Sequence, residues 1–320
     1  MKRVILNPTN EADWLEMRKE DLTSTECAAL FGCSPYLTRF ELWHEKHGNY
    51  ERPFDENERI KWGKRLEAPI ALGVAEDYGV IVEPMKCYMR IPDVRMGSSF
   101  DFRVTGLVSD WPGGENPVRE AFRNFGPGIM EIKNVDFIMF RDGWIVDGDY
   151  IEAPPHIELQ VQHQMEVADM NWCLIAALVA GNTPHIILRE RDREIGGFIH
   201  QRNAEFWGMS VAPSPDFERD AAIIARLYSR NDGSTIDLTD DLRFSALCDV
   251  YKAAAADETA AKKRKEAAKA EITTIIGAAE KVLASGFRVS AGTVEGGHVS
   301  YDREPYRNIR ITALKPAKAV

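Results

Sequence analysis

"GPGIMEIKNVDF", residues 126–137, decides the fold. Met130 and Ile132 alternate with Glu131 and Lys133. Successive side chains on a strand point to opposite faces. This stretch therefore reads as a strand with one apolar face and a carboxylate–ammonium pair on the other. Such a strand is either solvated on its polar face or forms the wall of an active site. An E-x-K pair alone recurs by chance in a chain of 320 residues, so the choice rests on what else the sequence gathers around it.

Working outward, residues 10–47 read as helical pieces. Thr23 or Ser24 serves as an N-cap, with Glu26 in capping-box position to Thr23. Residues 57–78, "NERIKWGKRLEAPIALGVAEDY", place Ile60, Gly63, Glu67, Ile70, Val74 and Tyr78 on one helix face, and Pro69 is expected to kink that helix or restart it. "GVIVEPMKCYMRI", "GSSFDFRVTGLV" and "GIMEIKNV" read as strands. "WPGGENPVREAFRNFGPG" reads as a surface loop. "PPHIELQVQHQMEVADM" is a helix opened by prolines, "WCLIAALVAG" and "HIILRERD" are two more strands, and "EIGGFIHQRNAEFWGMSV" is a closing helix. The order predicts a mixed α/β fold. "APSP" then marks a linker, residues 240–283 predict a long Ala-, Lys- and Glu-rich helix or helical pair ended by Gly286, and short strands follow around Gly296-Gly297.

Several carboxylates fall where a bland reading is uncomfortable. Asp101 lies in the strand segment before Glu131, so neighbouring strands can set the two side by side. Glu67 sits in the apolar stripe of its helix, where an unpaired carboxylate is costly to bury; a partner at Lys64 or Arg65 is the ordinary explanation. Ile157, Gln160, Val161, Gln164 and Ala168 share one helix face, which gives Gln160 the same oddity. Clustered carboxylates repel unless a cation lies between them. Three carboxylates with a lysine, and no His or Cys, form an all-oxygen set suited to Mg²⁺ or Mn²⁺ rather than zinc.

Bulk composition limits the alternatives. The chain is 44% hydrophobic and 28% charged, enough for one or two globular domains. Its net charge of −10 argues against a protein that coats nucleic acid, so any phosphate contact must be local. Five scattered cysteines without a C-x-x-C disfavour a disulfide framework, a zinc ribbon and an iron–sulfur cluster, and suit a reducing cytoplasm. No signal-peptide stretch or run of transmembrane length is present, so no membrane association is expected.

The succession Glu67, Asp101, Glu131-x-Lys133 and Gln160, carried by "WLEMRKEDLTSTECAALFG", "WGKRLEAPIA", "GSSFDFRV", "GIMEIKNV", "PPHIELQVQHQM" and "RDREI", resembles the lambda-exonuclease-like, YqaJ-type viral recombinase family of the PD-(D/E)XK nuclease superfamily. The resemblance covers roughly residues 14–207. It implies a restriction-endonuclease-like core, a mixed central sheet flanked by helices, and 5′→3′ digestion of one strand of linear double-stranded DNA. Asp101, Glu131 and the Ile132 carbonyl would hold one Mg²⁺, Glu67 a second, with Mn²⁺ able to substitute. Lys133 would position or activate water and Gln160 would orient the water or the lysine. Arg18, Thr25 and Ser99 would grip the terminal 5′-phosphate. DNA ends, a phage-type single-strand annealing protein and two further copies of the chain, in a ring-shaped trimer, would be its partners, and a bacterial host cytoplasm its location. The family's S-P-D-G is here Ser99-Phe100-Asp101-Phe102, which leaves open whether the strand turns or runs on. An endonuclease of the same fold, or a non-catalytic module acting through the C-terminal helix, are the rival readings.

The expected organisation is a nuclease domain over 1–212, a linker over 213–239 and a helical and β-hairpin extension over 240–320. His156 and His163 flank Gln160 and read as ordinary helix histidines. Arg119, Arg123 and Trp111 in the insert are weaker candidates for DNA contact. "KKRKEAAK" reads as a solvated helix face.

Overall fold

The structure, a computed structural model, describes residues 1–52, 57–148, 150–301, 303 and 305–311. The chain forms two compact units, Met1–Leu227 and Tyr228–Val320, divided within the stretch expected to be a linker.

The first unit opens with β1 (Val4–Leu6), α1 (Glu11–Lys19), β2 (Leu22–Thr23), α2 (Cys27–Leu30) and α3 (Arg39–Lys46). Short polar residues start the two longer helices: Asn10 accepts from the Asp13 N–H and Thr38 from the Glu41 N–H. Neither Thr23 nor Ser24 caps α2, whose N-cap is Glu26 without a side-chain cap bond, although the Thr23 N–H donates to Glu26 Oε2 at 2.9 Å. Next come α4 (Glu58–Tyr78), β3 (Val80–Pro84), β4 (Tyr88–Ile91), β5 (Met96–Ser99) and β6 (Phe102–Leu107). Pro69 does not restart α4, which is continuous until Gly79, at φ 62°, ends it. Pro69 and Arg65, whose carbonyl loses its helical donor, are both exposed, so water supplies the missing hydrogen bond.

The chain continues through α5 (Pro117–Phe125), β7 (Gly128–Val135), α6 (Phe137–Gly143), β8 (Ile145–Asp147), β9 (Tyr150–Glu152), α7 (Pro155–Ala168), β10 (Trp172–Val179), β11 (Thr183–Glu190), α8 (Arg193–Trp207) and α9 (Ala221–Leu227). The insert read as a loop thus contains a helix. Asn116 caps it, Pro117 fills its first position and Val118 is fully buried.

Two sheets result. One has the order β11-β10-β7-β6-β3, with β7 and β10 parallel and the other neighbours antiparallel; the second has the order β1-β4-β5-β2. This is the mixed sheet flanked by helices that the sequence predicts. Alternate residues of β10 feed two cores. Cys173, Ile175, Ala177 and Val179 join the α7 and α8 side, and Trp172, Leu174 and Ala176 join the α4 and α5 side. Burial on both faces suits a central parallel strand. Gly128 is glycine because the Trp172 ring occupies the space a Cβ would need.

Two stretches read as single strands are each split between the sheets. The chain leaves the five-stranded sheet after Pro84, pairs as β4 and β5 in the second, and returns at β6. The strand therefore does not run on through Phe100-Asp101. Phe100 enters one core and Phe102 the other, with Asp101 at the crossing.

The second unit contains α10 (Leu242–Ile276), with no buried residue, and a hairpin of β12 (Lys281–Ala284) and β13 (Phe287–Ser290). Gly277 ends the helix, while Gly286, at φ 80°, forms the hairpin turn. "KKRKEAAK" lies on the exposed surface of α10. Among the described residues no helix is long and apolar enough to cross a membrane.

Candidate active site

Antiparallel pairing of β6 with β7 sets Phe102 opposite Met130, which brings the preceding Asp101 alongside the Glu131–Ile132 peptide. Asp101 Oδ2 accepts the Ile132 N–H at 2.8 Å. Glu131 and Lys133 share the face of β7 that α7 covers. Glu131 is 3% exposed, and both its oxygens are occupied. Oε1 accepts from Lys133 Nζ at 2.6 Å and from Gln160 Nε2 at 2.6 Å, and Oε2 accepts from Gln164 Nε2 at 2.7 Å. Gln160 Oε1 accepts from Lys133 at 3.1 Å. Gln160 and Gln164 are one helical turn apart, the spacing that stacks two side chains on one face. Among the described residues Glu67, on α4, has no hydrogen-bond or ion-pair partner, while Lys64 pairs with Glu11 at 3.2 Å.

The charges are in mutual tension. Burial pushes the Asp101 carboxyl well above its usual range, and Glu131 and Glu67 add to that, against Lys133 and the Ile132 N–H. Burial also raises Glu67, followed by repulsion from Glu131. For Lys133 burial pulls downward, but Glu131 and Asp101 outweigh it and hold the amine above its ordinary value. The lysine is therefore an ammonium ion that donates.

Among the described residues no three carboxylate, imidazole or thiolate groups converge tightly enough to ligate one ion as the side chains stand. The donor chemistry nevertheless fits a hard divalent cation. Glu131 raises the proton affinity of both Asp101 and Glu67, a repulsion that a cation among the carboxylates would relieve. Asp101, Glu131 and Glu67 are the side chains able to supply oxygen ligands there.

A second cluster lies at the C-terminal end of β5, two residues before Asp101. Arg18 Nη2 donates to Thr25 Oγ1 at 3.1 Å and to Thr23 Oγ1 at 3.3 Å, and its guanidinium lies over the Trp14 ring, 4.4 Å from the centroid. Trp14 Nε1 donates to Ser99 Oγ at 2.7 Å. Arg18, Thr25 and Ser99 thus belong to one connected group. Among the described residues Arg18 has no carboxylate partner. The nearby Glu26 is taken by Lys46 at 2.9 Å.

Other candidates do not join these sites. His156 meets Tyr36 edge to face. His163 is buried with neither ring nitrogen bonded, and burial pushes it down to about 3, so it is a neutral core imidazole. Contact of Arg119 or Trp111 with DNA is not what the structure supports. Arg119 is buried, donating to the Gly79 carbonyl at 2.5 Å and to the Val108 carbonyl at 3.3 Å, and the Trp111 indole donates to the Glu76 carbonyl at 3.1 Å. Arg123 pairs with Glu115. Gln164 is the residue whose contact with Glu131 was not foreseen, although its place on the Gln160 face was visible in the sequence. Gln162 faces away, donating to the Glu190 carbonyl and accepting the Asp192 N–H, both at 2.9 Å.

Residues 13–171 match the YqaJ-like viral recombinase domain family. The uncharacterized protein YqaJ of Bacillus subtilis is 25% identical over 236 residues, 71% of this chain and 66% of that protein, so the chain spans slightly under two thirds of its relative's length. An alkaline exonuclease from Laribacter hongkongensis superposes with a TM-score of 0.43 at 18% identity, covering 67% of this chain and 96% of that one. A phage-related exonuclease from Haemophilus somnus gives 0.35 at 13% identity, covering 63% and 87%.

Proposed function

We propose that this chain, whose residues 13–171 match the YqaJ-like viral recombinase domain family, is a divalent-metal-dependent deoxyribonuclease that digests one strand of linear duplex DNA in the 5′→3′ direction. The observation that carries the reading is the junction at Asp101. A half-buried carboxylate accepts the Ile132 amide N–H, beside a glutamate and a lysine that two glutamines hold in place.

In this reading Asp101, Glu131 and the Ile132 carbonyl hold one Mg²⁺ and Glu67 helps hold a second, with Mn²⁺ able to substitute. Bound there, divalent ions would supply Lewis-acid stabilisation of the charge that develops in phosphodiester hydrolysis. Lys133, protonated and with its side chain 22% exposed, donates toward the reacting phosphate or its water as a fixed positive charge. Gln160 sets the position of that ammonium by bonding both it and Glu131.

The Arg18, Thr25 and Ser99 cluster receives the terminal 5′-phosphate. An arginine without a carboxylate partner is suited to this, because its planar fork matches phosphate oxygens. The product is a 3′ single-stranded tail for a single-strand annealing protein. A ring-shaped homotrimer around the DNA accommodates the acidic chain if its inner wall is locally basic.

The test uses linear duplex with 5′-phosphate ends beside closed circular DNA, in Mg²⁺ and in EDTA, with Lys133→Ala alongside. Loss of linear DNA in Mg²⁺ alone, with intact circles and an inert variant, supports the reading. Cleavage of circles replaces it with an endonuclease. Absence of cleavage in both Mg²⁺ and Mn²⁺ ends it.

A further inference from the structure

Gln164 is 1% exposed, and its amide makes two bonds through one nitrogen. Nε2 donates to Glu131 Oε2 at 2.7 Å and to the Ser99 carbonyl at 3.3 Å. The orientation is dictated by chemistry: a carboxylate only accepts, so the NH₂ must face it. The consequence is an amide oxygen, Oε1, that is buried without a partner. A buried unpaired acceptor opposes folding, so the bonds made by Nε2 are what hold this residue in place.

The lone pairs of Glu131 distinguish its two oxygens. Oε1 already accepts two donors, from Lys133 and Gln160. Oε2 accepts one, from Gln164, and keeps one lone pair. The oxygen left for a cation is therefore the one whose direction Gln164 fixes. The same nitrogen bonds the Ser99 carbonyl, and the Ser99 hydroxyl accepts from Trp14, whose ring lies under the Arg18 guanidinium. One side chain thus ties the carboxylate wall to the strand end that carries the proposed phosphate pocket.

We infer that Gln164 is a positioning residue that aims Glu131 Oε2 at the metal and couples that carboxylate to the Ser99 end of the 5′-phosphate pocket. This rests on the proposed function and goes beyond it. Partners that orient a metal's ligands change affinity by about 10–100-fold when removed.

The test uses the full chain as wild type, Gln164→Met and, as a control on the same helix, Gln162→Met. Mn²⁺ is titrated into each without DNA and free ion is read by electron paramagnetic resonance. Initial rates are then compared on 5′-phosphorylated and 5′-hydroxyl duplex ends. Gln164→Met is expected to bind Mn²⁺ about tenfold more weakly and to lose preference for phosphorylated ends, while Gln162→Met retains both. Gln164→Leu, of similar volume, replaces the methionine variant if that chain fails to fold. Equal or tighter Mn²⁺ binding by the Gln164 variants overturns the inference, as does an equal loss in Gln162→Met. Wild-type protein that neither binds Mn²⁺ nor cuts DNA overturns the proposed function itself.

Discussion

Asp101 accepts the main-chain N–H of Ile132 through Oδ2 at 2.8 Å, so the carboxylate that ends one crossing between sheets is bonded to the strand carrying Glu131 and Lys133. Asparagine at this position keeps an acceptor for that N–H and, at pH above the raised Asp101 value, removes one negative charge from beside Glu131 and Glu67. Asp101→Asn is therefore expected to melt higher than wild type in EDTA, where about 2–4 °C corresponds to 1 kcal/mol for a unit of this size. Its nuclease rate should fall roughly a hundredfold or more. Asp101→Ala leaves the amide unpaired and should cost about 1–3 kcal/mol. Differential scanning calorimetry beside a rate assay separates the two variants. A lower melting point for the asparagine chain would contradict the charge argument.

Raised carboxylates give the metal a pH signature. Asp101 and Glu67 hold protons in the folded chain at pH values where the unfolded chain, with values near 3.8 and 4.5, has released them. Such groups contribute their stability below the unfolded value and lose it as pH climbs through the raised folded value. In EDTA this contribution declines as pH rises above about 4. Mg²⁺ neutralises the same charges, so the gain in melting temperature on adding Mg²⁺ should grow with pH. A pH-independent gain would remove these carboxylates from the metal site.

The Arg18 cluster predicts a difference between substrates rather than a general loss. A hydrogen bond to a charged group contributes about 1.5–3 kcal/mol. Arg18→Ala should therefore lower kcat/KM on 5′-phosphorylated ends by about 10–100-fold. The rate on 5′-hydroxyl ends should barely change. Equal losses on both ends would assign Arg18 a structural role with Trp14.

Away from the site, Glu166 of α7 accepts from Arg191 Nε at 2.5 Å, Arg191 Nη2 at 2.8 Å and His200 Nε2 at 3.2 Å. Burial pushes the Glu166 carboxyl up, but these partners outweigh it and hold it at about 2. That stability is present above the unfolded value of 4.5 and is lost as pH falls toward 2. Arg191→Met should therefore move the acid-unfolding midpoint to higher pH. Gly196 faces this carboxylate, and a Cβ there would overlap it. Gly196→Ala should destabilise by about 1–3 kcal/mol with Mn²⁺ affinity unchanged. Circular dichroism against pH and metal titration check both.

The strand through Glu131 was legible because alternation alone divides Met130 and Ile132 from Glu131 and Lys133. The placement of Glu67 and Gln160 was legible because an isolated polar group in an apolar stripe stands out at helical period. The break at Phe100-Asp101 was not, since two phenylalanines at alternate positions look the same whether they face one core or two. Helix α5 was obscured by the glycines and prolines before it, although Asn116-Pro117 is an ordinary way to begin a helix. Gln164 lay on the right face, but nothing in its spacing told a core amide from one bonded to Glu131. The end of α10 at Gly277 rather than Gly286 reflects two glycines of equal local merit, with the hairpin pairing deciding between them.

Phe100 and Phe102 anchor in separate cores, and the residue between them is the carboxylate on which the site depends. Competence for chemistry is therefore a property of the seam and not of either half. A slight parting of the two sheets would leave both interiors dry and their helices intact while pulling Asp101 away from the Ile132 amide. In mild urea the proposed nuclease activity should fall silent while the chain still looks folded, and that activity, more sensitively than the spectrum, should report whether the two halves are in register.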